Sequence, residues 1–188
     1  MKISVYPAYG SLNSKPVFDA FIQNLKDKKE DFQINKHDHD TDVAVIWSVL
    51  WQGRMQNNLK IWKEFKALNK PVVVLEVGGI KRNVTWKMGI NGVNRDADFA
   101  VSPHFDGRWE KFKIDLKPWK RSGKNIIVCG QHDSSEQWRS LPKMNNWLLE
   151  QVTAIKKVSD KKIIIRPHPR NPITIKMAGV ETQGPKKD

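Results

Sequence analysis

Apolar positions along the chain follow two alternating rhythms. Residues 2–6, DVAVIW at 42–47 and PVVVLEV at 71–77 are short unbroken runs, with the length and branched side chains of buried strands. Between them, Phe18, Phe21, Ile22 and Leu25 recur at helical spacing, and so do Met55, Leu59, Trp62 and Phe65. Ser14 stands where an N-cap belongs, with Pro16 in the first turn, and the second helix should stop before Asn69 and Pro71. This β-α-β-α-β order predicts a parallel sheet with helices on both faces.

From Gly78 to about Trp119 the pattern loosens into Gly, Asn, Asp, Arg and Trp, as in a functional loop or a domain junction. Residues 118–124 combine Pro, Gly, Ser and charge and read as a linker. The rhythm then restarts. NIIVCG at 125–130 reads as a strand, Met144, Trp147, Leu148, Val152 and Ile155 as a helix, and KKIIIRP at 161–167 as a strand. No helix signal follows Asn171. The fold class expected is α/β: a parallel-sheet, Rossmann-like domain at 1–117, a linker at 118–124, and at 125–188 the first β-α-β of a second Rossmann-like domain. That second part is too small to bury a good core alone, so it is expected to lean on the first, to dimerise, or to begin a longer chain.

Composition narrows the class. Of 188 residues, 39% are hydrophobic and 28% charged, as in folded globular chains. No apolar run reaches the roughly 20 residues of a membrane span, and the opening MKISVYPAYG is too polar for an export signal. These features predict a cytoplasmic protein. The net charge of +13 favours polyanionic partners, whether nucleic acid, phosphorylated substrates or an acidic membrane face. Cys129 is the single cysteine, and its apolar strand context predicts a buried, inert thiol. Eight tryptophans are unusual, and most are expected in the core.

Ligands of open α/β sheets bind beyond the carboxyl ends of strands, and three polar clusters fall at such ends. In VGGIKRNVTW, Gly78 and Gly79 would allow close backbone approach to a ligand, with Lys81 and Arg82 supplying charge; a tight turn with solvated cations weighs equally. In GQHDSSEQW, Gln131, His132, Ser134 and Ser135 offer donors, and a following helix would add its N–H groups. Taken alone, the cluster reads better as an N-cap supplied by Asp133, Ser134 or Ser135. In IIIRPHPR, Pro167 and Pro169 hold His168 between Arg166 and Arg170. The arginines suit a phosphate, and flanking cations disfavour the imidazolium, so His168 would act neutral. Neither a dinucleotide fingerprint nor a P-loop is present. HDHDTD at 37–42 invites a metal through His37 and His39, but reads better as a solvated loop. Asp19, Glu76, Asp96, Asp98 and Asp106 are available as a general base, and Glu76 stands out at the end of an apolar strand.

A strand ending in CGQHDSS, then a helix, then a strand ending in RPHPR resembles the nucleotide-sugar-binding half of GT-B glycosyltransferases, above all the capsule-polysaccharide group that includes the Kdo transferases. The resemblance implies that Gln131, Asp133 and Ser134 lie near the donor, with His132 among them, and that His168 and Pro169 contact the donor phosphate beside Arg166 and Arg170. It implies an acceptor-side first domain, and by position alone Gly78, Gly79, Arg82, Trp86, Asn91 and Arg95 would line its cleft. The reaction implied is transfer of a sugar from a nucleotide-sugar to a hydroxyl, with Glu76 and His168 as catalytic residues. No metal and no cofactor beyond the nucleotide-sugar substrate are required. The acceptor would be a glycan, a lipid-linked molecule or DNA, and the enzyme would be cytoplasmic or peripheral to an acidic membrane surface. Members of the group continue with further β-α units after the His-Pro strand, so a dimer or a missing C-terminal half is expected. The rival reading is a basic nucleic-acid-binding protein without catalysis.

Overall fold

The structure is a computed structural model that describes residues 1–38, 40–81, 83–99 and 107–184. His39, Arg82 and Asp106, singled out above, lie outside the described residues. The chain forms two compact units, Met1–Arg108 and Trp109–Asp188.

The first unit is built on a five-stranded sheet of order β2-β1-β3-β4-β5. Its strands are β1 (Lys2–Val5), β2 (Asp31–Ile34), β3 (Val43–Trp47), β4 (Val72–Val77) and β5 (Trp86–Ile90). The first four run parallel, and β5 returns antiparallel to β4. Helix α1 (Lys15–Asp27) joins β1 to β2, and α2 (Gln56–Ala67) joins β3 to β4. They cover opposite faces of the sheet. Phe18 and Leu25 of α1 pack on Ile3, Val5, Val43, Val45 and Trp47. Ile61 and Phe65 of α2 pack on Ala44, Ile46, Val72 and Val74. Strands β3 and β4 therefore bury side chains on both faces, which is why they read as continuous apolar runs. Each such fully buried side chain contributes on the order of 1.5–3 kcal/mol.

The second unit holds β6 (Asn125–Cys129), β7 (Lys162–Arg166) and β8 (Val180–Thr182), all parallel and in that order. Helix α4 (Met144–Lys156) packs Met144, Leu148 and Val152 on Val128, Ile163 and Ile165. The one-turn helix α3 (Gly107–Lys111) spans the boundary between the units.

Mixed α/β architecture with mostly parallel sheets thus matches the sequence expectation, with four differences. Strand β2 lies between α1 and β3, where the sequence offered no element. The edge strand β5 makes the first sheet mixed. The second sheet carries a third strand, β8, where the sequence offered no element. Cys129 is exposed rather than buried. It alternates with Val128, which α4 covers, so its side chain leaves on the other face of an edge strand, next to the half-exposed Ile127. Among the described residues no helix is long and apolar enough to cross a membrane.

Candidate functional site

Strands β6 and β7 are adjacent and parallel, with Cys129 in register with Arg166, so their carboxyl ends open on the same edge. The ladder runs one bond further, the Gly130 N–H donating to the Arg166 carbonyl at 2.8 Å. Beyond that bond both chains turn, and the turns meet. The rings of His132 and His168 lie 4.7 Å apart, edge to face at 62°.

The His168 turn is specified locally. Pro169 occupies the second position of a β-turn, closed by the Asn171 N–H donating to the His168 carbonyl at 2.8 Å. The turn aims the Arg170 N–H at His168 Nδ1, at 3.1 Å. A backbone N–H can only donate, so Nδ1 is the unprotonated nitrogen and the neutral ring carries its proton on Nε2. His168 is half-buried. Its pKa is held below the ordinary 6.5, first by burial, then by His132, then by Arg170. The sequence argument for a neutral His168 rested on both flanking arginines. Of these only Arg170 contributes, and His132 was not anticipated. Arg166 sends its Nε–H across to Gln183 Oε1, at 3.3 Å, just past β8. The two arginines therefore do not close on His168 as a symmetric fork.

The GQHDSS turn is held from several directions. Gln131 folds back so that its Oε1 accepts the His132 N–H at 3.0 Å. His132 Nδ1 pairs with Ser134 Oγ at 2.9 Å. Asp133 is not an N-cap residue: that position of α4 is Lys143, whose side chain makes no capping bond, and Asp133 serves the helix from eleven residues upstream, its Oδ1 accepting the Met144 N–H at 2.6 Å. The amino end of α4 therefore faces the Asp133 carboxylate, not open space for a ligand anion. Asn171 ties the turns together, its Nδ2 donating to the Gln131 carbonyl at 3.3 Å and to Asp133 Oδ2 at 3.4 Å. Neither the part played by Asn171 nor that of Gln183 was foreseen. A cavity of about 480 Å³ adjoins this edge, its lining a mixture of apolar residues such as Pro167, Ile173 and Met177 with Thr174, Lys176 and Thr182. The Thr182 hydroxyl is buried and has no hydrogen-bond partner among the described residues.

The residues assigned to an acceptor cleft do not form one site. Gly78 and Trp86 flank the Val77–Trp86 end of the β4–β5 hairpin, whereas Asn91 bonds to Val72 at its other end. Asn91 Oδ1 accepts the Val72 N–H at 3.1 Å, and its carbonyl accepts the Trp62 indole N–H at 3.0 Å, so its polar groups serve the hairpin. Arg95 follows in the next turn, its Nε 3.6 Å from Asp96 Oδ1. Trp86 packs edge-on to Trp47 at 5.9 Å, at the margin of the core. Gly78 answers to Thr85 rather than to a ligand, since a Cβ there would lie 2.2 Å from the Thr85 carbonyl oxygen. Gly79 is exposed with open space around it. Glu76 is half-buried, and its Oε1 accepts the following Val77 N–H at 2.7 Å.

The acidic run before β3 has a structural use. Asp38 and Asp40 bind the Lys2 ammonium at 3.0 and 2.8 Å, and Asp42 accepts the Lys2 N–H at 2.8 Å. The Asp40 and Asp38 carboxylates push the Lys2 pKa well above its ordinary value. Among the described residues no three His, Cys, Asp or Glu side chains are grouped to hold a metal. His37 is drawn elsewhere: Nδ1 lies 3.2 Å from Tyr6 Oη, and Nε2 lies 2.6 Å from Glu64 Oε1.

Compared with known families and curated proteins, the chain matches no family model and no curated sequence.

Proposed function

We propose that the chain is a glycosyltransferase of GT-B type, similar to the capsule-polysaccharide group, that moves a sugar from a nucleotide-sugar to a hydroxyl. One observation carries the reading: the His132 and His168 turns meet at the carboxyl ends of adjacent parallel strands, 4.7 Å apart, where α/β sheets bind their ligands. With Nδ1 occupied by the Arg170 N–H, His168 offers its Nε2–H to a donor phosphate oxygen. Arg170, with no side-chain partner among the described residues, adds charge as the phosphate departs. The cavity beside Pro167 would take the nucleoside, with Thr174 and Lys176 as polar residues of its lining. Glu76 is the carboxylate proposed to take the acceptor proton.

The reading is tested by calorimetric titration with nucleoside mono- and diphosphates and nucleotide-sugars. Saturable binding of one nucleotide that is lost in His168→Ala supports it. The competing reading, a nucleic-acid-binding protein, draws on Trp119, which is 91% exposed beside Lys117, Lys120 and Arg121. Single-stranded DNA binding that weakens steeply with salt and ignores His168, with no nucleotide response, would favour that reading instead.

A further inference from the structure

The first unit has a second polar site that the transferase reading does not use. In its sheet, β2 and β3 lie on opposite sides of β1, so the direction of winding reverses at β1. Open α/β sheets bind ligands at such a reversal, outside the carboxyl ends of the strands. Tyr6 directly follows β1, and His37 comes three residues after β2. Between them and α2 lies a cavity of about 240 Å³, walled by Tyr6, Tyr9, Asn35, His37, Lys60 and Glu64.

Hydrogen bonding fixes which polar atoms this cavity presents. The Glu64 carboxylate can only accept, so His37 Nε2 donates to it, at 2.6 Å. In the neutral ring, Nδ1 is then an acceptor and takes the Tyr6 O–H, at 3.2 Å. Tyr6 thereby donates its proton to His37, and its oxygen, which already meets Ser4, keeps one lone pair as an acceptor. Asn35 is the complement: its Oδ1 accepts the Ala8 N–H at 3.1 Å, which leaves the amide NH₂ as a donor. The Tyr6 and Tyr9 rings lie nearly parallel, 12° apart, with centroids separated by 6.3 Å. The wall is held in place from behind, since the fully buried Asn58 of α2 donates to the carbonyls of Tyr9 and Trp47, at 3.2 and 2.8 Å.

An acceptor oxygen, an amide donor and aromatic faces suit a ligand whose hydroxyls both give and take hydrogen bonds while its C–H face lies on a ring. The Lys60 ammonium and the Glu64 carboxylate in the wall carry opposite charges, so the lining has no strong bias for an ion of either sign. The volume falls below the roughly 300 Å³ at which pockets for drug-sized ligands begin. We infer that the cavity bounded by Tyr6, His37 and Glu64 binds a neutral polyhydroxylated ligand the size of one sugar ring, in a site separate from the His168 turn.

The test is amide chemical-shift mapping of the full chain, titrated with glucose, galactose, mannose, ribose and N-acetylglucosamine, with inorganic phosphate as the anion control. The expected result is that at least one sugar shifts the amides of Tyr6, Ala8, Asn35 and His37 saturably, and phosphate does not. Binding should weaken at least tenfold in Tyr6→Phe. Should that variant lose its dispersed spectrum, the exposed His37→Gln is read in its place, with the same tenfold loss expected. If no sugar moves these amides, if phosphate moves them as strongly, or if folded variants bind as tightly as the parent, the inference is overturned. None of these outcomes depends on nucleotide binding, so the test stands whether or not the transferase reading survives.

Discussion

His37 and His168 each use Nδ1 as an acceptor, and there the likeness ends. Nδ1 of His37 takes a proton from the Tyr6 side chain, 31 residues away in sequence, and its Nε2 proton goes to Glu64. Nδ1 of His168 takes a proton from the backbone two residues on, and its Nε2–H meets no partner among the described residues. One imidazole is a closed link in a side-chain chain. The other is held from behind with its donor open. The same residue type therefore suits two ligand classes. The site lined by Glu64 and Lys60 is the one proposed for neutral hydroxyls, and the site beside His132 and Arg170 is the one proposed for an anion. What separates them is which of the two nitrogens is already engaged, and by what.

The largest expected break of this comparison is His168→Ala. A hydrogen bond to a charged group is worth about 1.5–3 kcal/mol, so nucleotide affinity should fall roughly 10- to 100-fold by calorimetry. Sugar-induced shifts at Tyr6 and His37 should persist. Next comes Gly78→Ala, which forces a Cβ against the Thr85 carbonyl. Overpacking of this kind costs about 1–3 kcal/mol, read as a lower urea midpoint of the first unit, while nucleotide affinity at the His168 turn stays within about twofold. Asp133→Ala removes the acceptor at the amino end of α4 and should cost about 1 kcal/mol, read as a lower urea midpoint of the second unit. Ser134→Ala, which removes the hydroxyl paired with His132, should cost less. The smallest effect concerns pH. His168 should titrate below 6.5 when its ring protons are followed by NMR. The unfolded chain binds that proton more readily than the folded one. The contribution of His168 to stability is therefore complete above the ordinary histidine pKa of about 6.5 and is lost as pH falls through its lowered folded value. A midpoint above 6.5 would contradict the burial argument.

Most of the scaffold is legible in the sequence because its elements are buried. VAVIW in β3, VVVLEV in β4 and KIIIR in β7 are apolar runs, and the faces of α1, α2 and α4 repeat at helical spacing. The strands that escape notice are edges. DFQI in β2 has no buried residue, WKMGI in β5 buries only its glycine, and VET in β8 is three residues long. Edge strands pack on few neighbours, so little apolar pattern is imposed on them. The same logic divides the sites. The meeting of the His132 and His168 turns was readable, since each follows an obvious strand and strand ends gather. That Asp133 serves α4, or that Arg166 reaches Gln183, depends on side-chain direction, which no spacing encodes. His37 was hidden within HDHDTD, a segment whose carboxylates advertise a metal or plain solvation. Its partners lie 31 and 27 residues away on other elements.

Asp133 carries a further consequence, best put in terms of inheritance. One oxygen holds the first amide of α4 and the other meets Asn171 in the His168 turn. A single carboxylate thus sets where a helix begins and where a distant loop rests. Replacement by asparagine keeps an acceptor for the helix but presents an amide NH₂ to the amide NH₂ of Asn171 unless Asn171 flips, which turns its oxygen onto the Gln131 carbonyl. Positions 133 and 171 should therefore change together in descendants of this chain or not at all. A lineage that lost the carboxylate alone would keep its core and lose the alignment of its two histidines.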